Sequence, residues 1–230
     1  MSAVCAFVET SKGTLKKSAA EILGEGRRLA DALGGELDAV LVGKDVTGLA
    51  DQVAALGANR VLVADADAFA QFNVEGYVKA LMKAVAASSP KVVLLAASVV
   101  GKDLGPALSA GTGGALLTDV TSIGTEGGAV VVTKPVYAGK AMASIRAATE
   151  TVVATLRPNV FEPAEPEAGK SAPVEVIDAG VSAAELRVVV KEVLAKASEK
   201  LDLTEADIIV AGGRGMRDPE NWQLLEGLAE

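Results

Sequence analysis

The residues best suited to chemistry form a short glycine-rich segment late in the sequence. Gly212-Gly213-Arg214-Gly215 follows an apolar run at 207–211 and precedes a helical pattern at 218–228. Glycines let backbone N–H groups approach an anion, and a helix N-terminus adds positive potential. Arg214 is the one cation of this loop, and a guanidinium forms paired hydrogen bonds with phosphate. No base, nucleophile or metal cluster accompanies it, so the segment predicts ligand binding without side-chain catalysis.

Other glycine motifs give weaker signals. Counted from Gly213, the third glycine of a G-x-G-x-x-G fingerprint falls on Asp218, so a tight turn with a solvated Arg214 remains an alternative. The pairs Gly43-Lys44 and Gly101-Lys102 both fail the P-loop pattern, because the upstream glycine and the following Ser or Thr are missing. Gly101 still follows a predicted strand end, which is where open α/β sheets bind ligands.

Composition excludes several function classes. The net charge of −8 argues against non-specific DNA or RNA binding, which needs a basic surface. No apolar run approaches the roughly 20 residues that span a bilayer, and no secretory or transit signal is visible, so we expect a cytoplasmic protein. The sequence has no histidine, which removes Ser-His-Asp and Cys-His catalysis and His-ligated metal sites. The single cysteine, Cys5, lies in an apolar run and is predicted to be a buried thiol.

These residues must be positioned by an α/β fold. Strands are predicted at 4–9, 37–42, 60–64 and 91–97, and they alternate with helices at 14–33, 46–56, 74–85 and 101–109. Such alternation predicts a parallel sheet with right-handed crossovers. Aromatic residues are only 3%, so Ala, Val, Leu and Ile must build the core.

The pattern changes after Gly114. Runs at 118–125 and 129–134, joined by Glu126-Gly127-Gly128, predict a β-hairpin, and runs at 141–146 and 151–157 are expected to form a second close pair. Residues 162–173 are rich in proline and glutamate and predict a linker, with a short strand at 174–177. Residues 182–201 stay open, because Ser182 and Glu185 fit a helix capping box while the run at 187–190 favours a strand.

Taken together, four segments resemble the electron transfer flavoprotein alpha subunit. They are GKDLGP at 101–106 running to LTDVT at 117–121, KPVYAGKA at 134–141, TLRPNVF at 155–161 and ADIIVAGGRG at 206–215. The resemblance covers essentially the whole chain. Position 107 departs from it, because Ala107 stands where the family often carries arginine.

The resemblance carries functional expectations. Alpha subunits pair with a beta subunit and bind FAD, mostly in their C-terminal domain. The heterodimer takes electrons from dehydrogenases such as acyl-CoA dehydrogenases and passes them to a quinone oxidoreductase or another acceptor. The resemblance implies that Arg214 is a cofactor-binding residue, that the protein is an electron carrier and not an enzyme, and that 187–194 form a strand.

The expected organisation is therefore an N-terminal α/β domain at 1–161, which ends in an antiparallel β section and packs against a partner subunit. A linker and arm follow at 162–202. Residues 203–230 are expected to be the first β-α unit of an incomplete, doubly wound FAD domain, since one strand and one helix cannot bury both faces of a sheet. Two rival hypotheses remain. One is a scaffold or docking fragment that binds no flavin, and the other is a stand-alone nucleotide-binding protein of stress-protein or hydrolase type.

Overall fold

The computed structural model of the chain describes residues 2–193, 206 and 208–229. The chain divides into two compact units, Met1–Glu192 and Val193–Glu230. The first unit contains a seven-stranded sheet whose strands all pair in parallel, together with a small antiparallel sheet. This confirms the predicted α/β class. The finer division into a domain, a linker and an arm stays a prediction.

The elements of the first unit follow one another in strand-helix alternation. In chain order they are β1 (Ser2–Val8), β2 (Thr10–Ser11), β3 (Thr14–Leu15), α1 (Ser18–Ala32), β4 (Glu36–Gly43), α2 (Ala50–Ala55), β5 (Arg60–Asp65), α3 (Val74–Ser88), β6 (Val92–Ala96), α4 (Val99–Thr112), β7 (Ala115–Val120), β8 (Ser122–Glu126), β9 (Ala129–Val136), β10 (Ala141–Arg146), β11 (Val152–Leu156) and β12 (Val174–Val176).

The main sheet has the strand order β12-β5-β4-β1-β6-β11-β7. Helices cover both faces, so successive residues of one strand enter different cores. Val4 and Ala6 of β1 pack with Leu23 of α1, whereas Cys5 and Phe7 lie in the core that contains the α3 residue Leu81. This burial on both faces explains the continuous apolar runs in the sequence.

One predicted pairing is wrong. Residues 141–146 and 151–157 do not pair with each other: β10 pairs antiparallel with β9, and β11 lies between β6 and β7 in the parallel sheet. The burial patterns give the reason. All five residues of β11 are buried, as in a central strand, whereas β10 is largely exposed along one side.

The run at 118–125 also divides differently from the prediction. Residues up to Val120 belong to β7 in the main sheet, and β8 begins at Ser122 in the small sheet. The hairpin through Glu126-Gly127-Gly128 is confirmed, since Glu126 pairs with Ala129 and both glycines have positive φ. Two-residue hairpin turns require this left-handed backbone, which glycine adopts without strain.

The observed bounds of α1 and α4 differ from the predicted bounds. The helix predicted at 14–33 begins only at Ser18, because Thr14–Leu15 pairs with Thr10–Ser11 in a two-stranded ribbon. The helix predicted at 101–109 extends from Val99 to Thr112. Its first turn is capped by Ser98, whose Oγ accepts a hydrogen bond from the N–H of Gly101 at 3.0 Å.

The segment 162–181, called the strap below, passes over α1 and α2, whose buried residues share one core on the same face of the main sheet. The N–H of Ala164 donates to the carbonyl of Ala20 in α1, and the N–H of Glu167 donates to that of Ala55 in α2, both at 2.9 Å. The strap then supplies β12, which pairs in parallel with β5 and completes one edge of the main sheet. The predicted short strand at 174–177 is therefore confirmed, apart from its last residue.

Two residues of α1 fix the route of the strap. The Glu21 carboxylate accepts hydrogen bonds from the backbone N–H groups of Asn159, Val160 and Phe161 at 3.1, 3.3 and 3.3 Å, so it holds the turn that leads into the strap. At Gly24 a Cβ atom would lie 2.9 Å from the carbonyl oxygen of Glu162. The absence of a side chain there lets the strap pass close over the helix.

Residues 182–193 contain one short 3-10 turn, Ala183–Glu185. They form neither an α-helix nor a β-strand. Neither prediction for 182–201 is formed within that range, and the strand that the resemblance favours at 187–194 is not formed at 187–193. The rest of these predictions lies outside the described residues.

Among the described residues of the second unit, the predicted helix is formed and the predicted strand is not. A 3-10 turn, Pro219–Trp222, leads directly into α5 (Gln223–Ala229). The strand predicted at 207–211 is not formed at 208–211, and Asp207 lies outside the described residues. The side chains of Ile208 and Ile209 are 86% and 55% exposed. A strand needs a neighbour to satisfy its backbone groups, and residues 208–229 include none.

Candidate functional site

The glycine-rich loop of the second unit is a compact turn. Arg214 opens the short 3-10 turn Arg214–Met216, in which the N–H of Met216 donates to the carbonyl of Gly213 at 2.9 Å. The side-chain amide of Asn221 donates to the carbonyl of Met216 at 2.7 Å, which ties the loop to the following turn. These hydrogen bonds define the shape of the loop.

The glycines of this loop have different roles. A Cβ at Gly212 would lie 2.3 Å from Leu225 Cδ1, so this position is small because the loop packs on α5. Gly213 and Gly215 have open space where a Cβ would stand. Their backbone is accessible to an approaching group, which is the property expected of a loop that binds an anion.

Arg214 is exposed, and among the described residues its side chain has no hydrogen bond or ion pair. An unpaired guanidinium beside an open glycine backbone fits the chemistry of a phosphate or diphosphate, which needs charged donors and close approach. No carboxylate competes for Arg214 among the described residues. The loop thus has a donor set that fits the phosphate part of a dinucleotide cofactor.

The second glycine motif has a structural explanation. Gly101 is buried in the first turn of α4, and a Cβ there would lie 1.9 Å from the carbonyl oxygen of Ala96. The helix therefore starts in contact with the end of β6, and only glycine fits. Lys102 is exposed beside it. This contact gives Gly101 a packing role without any ligand.

The crevice between β1 and β6 is the topological switch point of the main sheet, the usual ligand site of such folds. Here it is lined by Glu9, which is only 4% exposed. The Glu9 carboxylate accepts hydrogen bonds from Ser98 Oγ and from Lys16 Nζ, the latter at 2.9 Å. The remaining cavity measures about 60 Å³. A phosphate would meet a buried carboxylate here, which weighs against the hypothesis of a stand-alone nucleotide-binding protein.

Three of the four segments that carry the family resemblance meet at the carboxyl edge of the main sheet. The Arg157 guanidinium donates to both oxygens of Asp119, at 2.9 and 2.6 Å, and Lys134 donates to Thr118 Oγ1 at 3.0 Å. The hydrogen bond from Arg157 lowers the pKa of Asp119, with smaller contributions from the charges of Arg157, Lys102 and Lys134. Segments distant in sequence therefore form one charged cluster.

Buried acids are the residues that sequence reasoning missed. Glu9, Glu21 and Asp38 are all buried, and each is held by partners remote in sequence. No local motif marks them, because acidic residues in strands and helices are normally solvated. The one sequence signal of a buried acid is its position inside or directly after an apolar strand run. Glu9 and Asp38 both have such a position.

Metal binding and thiol chemistry find no support in the described part of the chain. Residues 2–193, 206 and 208–229 contain no group of three acidic, Cys or His side chains arranged to hold a metal ion. Burial raises the pKa of the Cys5 thiol to about 12. Among the same residues, no helix is long and apolar enough to cross a membrane.

Comparison with known proteins decides the family. The sequence model of the electron transfer flavoprotein domain matches residues 4–182, which is most of the first unit. The chain belongs to the electron transfer flavoprotein family. This confirms the resemblance inferred from the four sequence segments, three of which fall within the matched range.

Relatives of the chain extend the match across both units. The chain is 37% identical over 230 residues to Protein FixB of Clostridium saccharobutylicum, covering 99% of this chain and 68% of the relative. It is 35% identical to the electron transfer flavoprotein subunit alpha of Bacillus subtilis (96% and 67% covered) and 34% identical to that of Clostridium acetobutylicum (98% and 69% covered). The chain thus spans about two thirds of the length of these electron transfer flavoprotein subunits.

Proposed function

We propose that the chain is the alpha subunit of an electron transfer flavoprotein and carries electrons through FAD. The observation that carries this proposal is the family match over residues 4–182, together with alpha-subunit relatives aligned over both units. The first unit supplies an α/β platform. The second unit supplies the glycine loop with Arg214, whose charge and exposure suit the diphosphate of FAD.

In this role the protein is an electron carrier and not an enzyme. FAD supplies the redox chemistry when it is bound. The chain's own residues position the cofactor. The Arg214 guanidinium would bind its negatively charged diphosphate, and Gly213 and Gly215 leave their backbone accessible to the same group. The ion pair between the buried Glu9 and the partly exposed Lys16 stays structural.

The same proposal names the partners. A beta subunit pairs with this chain, dehydrogenases such as acyl-CoA dehydrogenases donate electrons, and a quinone oxidoreductase or another acceptor receives them. The net charge of −8 is compatible with protein partners and argues against a nucleic-acid partner. We place this exchange in the cytoplasm.

The test is to purify the chain with its beta subunit and to measure bound flavin by its visible absorption. The expected result is FAD in the complex, and its bleaching when an acyl-CoA dehydrogenase and its substrate are added. Absence of flavin from a well-formed complex would contradict the proposal and favour the rival scaffold hypothesis. Stoichiometric flavin on the chain alone would instead rule out that rival.

A further inference from the structure

The hairpin formed by β9 and β10 differs from the rest of the chain in charge. Residues 129–146 contain Lys134, Lys140 and Arg146 and no acidic residue, whereas the whole chain has 22 basic and 30 acidic residues. Lys140 and Arg146 are exposed. The hairpin is therefore a positively charged element of an acidic protein.

The hairpin also exposes large side chains. Tyr137, at its turn, is 81% exposed, and Met142, at the start of β10, is 60% exposed. Both are residue types enriched in the centres of protein interfaces. Tyr137 and Ala138 have φ values of +52° and +54°, a backbone conformation that costs energy in non-glycine residues. The turn thus presents an aromatic ring from a fixed, strained backbone.

The outer edge of β10 is open. Among the described residues β10 pairs only with β9, over six consecutive residue pairs and without a bulge. Natural proteins normally protect such an edge with proline, charged side chains or a bulge, because it offers free backbone groups to another strand. The six residues of β10 include no proline, and their one charged side chain is Arg146, at the end of the strand.

Hydrogen bonding in the small sheet identifies which groups are free. Thr133 accepts a backbone hydrogen bond from Thr121, so its backbone groups point towards β8 and away from β10. Ser144, which lies opposite Thr133, is therefore in a non-hydrogen-bonded pair, and its N–H and C=O point outwards. By alternation, the same holds for Met142 and Arg146.

We propose that the β10 edge and the Tyr137 turn dock the partner subunit through an extended, acidic segment that adds a fourth strand to the small sheet. Backbone hydrogen bonds to residues 142, 144 and 146 supply affinity, and carboxylates facing Lys140 and Arg146 supply selectivity. This inference rests on the proposed function for the identity of the partner.

The test measures the dissociation constant of the complex between the full chain and its beta subunit, at low and at high salt. Lys140→Glu with Arg146→Glu is expected to weaken the complex by about tenfold or more and to reduce its salt dependence. Ser144→Pro removes an N–H that β9 does not use, and should weaken binding without unfolding the chain. Tyr137→Asn removes the ring but tolerates the positive φ, and should also weaken binding.

The matched control is Lys12→Glu with Lys83→Glu, which makes the same charge change at two exposed positions outside the hairpin. Unchanged affinity in the hairpin variants, equal weakening in the control, or no complex with the wild-type chain would each overturn the docking proposal. The proposal would also be overturned if the chain alone formed a dimer and the hairpin variants abolished that dimer. The β10 edge would then bind a second copy of the chain. Flavin content, measured separately, reports on the proposed function: a salt-sensitive complex without flavin would support the docking site and reject the electron carrier.

Discussion

Arg60 connects the buried carboxylate of Asp38 to the exposed edge of the main sheet. Its guanidinium donates to both Asp38 oxygens, at 3.2 and 2.6 Å, from the neighbouring strand. A third hydrogen bond, at 3.0 Å, reaches Glu175 in β12. Ser88 Oγ completes the shell of Asp38 at 2.6 Å. The Arg60 side chain thus neutralises an acid in the core and also binds Glu175 of the strap at the surface.

Replacement of Arg60 by Met should therefore destabilise the fold. Asp38 would keep Ser88 but lose its counter-charge while its side chain remains 2% exposed, which should cost about 2–3 kcal/mol of the unfolding free energy. Urea denaturation measures this directly. Glu175→Gln is the matched control, because it removes only a half-exposed ion pair and should cost less than about 1 kcal/mol. Equal effects of the two variants would contradict the role given to Asp38.

Gly101→Ala should be strongly destabilising. The new methyl group would lie 1.9 Å from the carbonyl oxygen of Ala96, so the start of α4 must move away from β6. We expect a loss of about 3 kcal/mol in thermal or urea unfolding. Gly48→Ala is the control, since a Cβ there meets nothing within 4 Å. That variant should be neutral or stabilising by about 0.4–1 kcal/mol.

The ion pair between Asp119 and Arg157 should make stability depend on pH. Arg157 lowers the pKa of Asp119 in the folded state, so the pair stabilises the fold above the unfolded-state value of about 4. The contribution disappears as the pH falls through the lower, folded-state pKa. Because both side chains are more than one third exposed, we expect only about 0.5 kcal/mol near neutral pH.

Asp119→Asn measures this contribution without disturbing the backbone, since asparagine tolerates the φ of +56° at this position. The difference in unfolding free energy from the wild type should be present near neutral pH and vanish in acid. Glu36→Gln, at an exposed position, serves as the comparison. A difference for Asp119→Asn that grows as the pH falls would have the wrong sign.

Cys5 should be unreactive in the folded protein. It is 1% exposed, and burial raises its pKa to about 12, so thiolate is scarce near neutral pH. A thiol reagent such as dithionitrobenzoate should label the native chain only as fast as the chain unfolds. Lys83→Cys adds an exposed thiol and should react at once with one equivalent. Rapid labelling of the wild type would show that β1 opens locally.

Arg214→Ala should weaken FAD binding to the complete heterodimer. A charged hydrogen bond contributes about 1.5–3 kcal/mol, which corresponds to a roughly ten- to hundredfold loss of affinity. Titration calorimetry measures it. Arg217→Asn is the control, because it removes a neighbouring exposed charge and asparagine suits the positive φ of that residue. It separates the loss of a direct contact from the loss of one positive charge. Unchanged affinity of Arg214→Ala would remove this residue from the site.

The sequence predicted the parallel half of the fold well because burial on both faces leaves apolar runs, and helices leave a separate periodicity. It failed for β10 and β11, since the prediction paired segments that are neighbours in sequence and overlooked the mostly apolar composition of Val152–Leu156, where Thr155 is the one polar residue. The strand expected at 207–211 failed for another reason. Apolar composition favours a strand, but only a neighbouring strand can satisfy its backbone.

In the candidate site, too, local sequence features were predictable and contacts between distant segments were not. Arg214 was identified because its loop is local in sequence, and its contact with FAD stays a prediction. The charged cluster of Asp119, Arg157 and Lys134 was present only as separate segments, and the structure was needed to bring them together. Glu21 had no signal, because the backbone groups that it binds lie 138–140 residues further along the chain.

The strap has a consequence for the solution behaviour of the protein. By supplying β12, it covers the hydrogen-bonding edge of β5, a strand with four consecutive fully buried residues between Val61 and Ala64. A protease cut near Gly169 would allow that edge to separate and would leave an apolar strand unpaired. We therefore expect the strap to protect the protein against aggregation, and Glu21 and Gly24 to contribute to that protection from a helix near the start of the sequence.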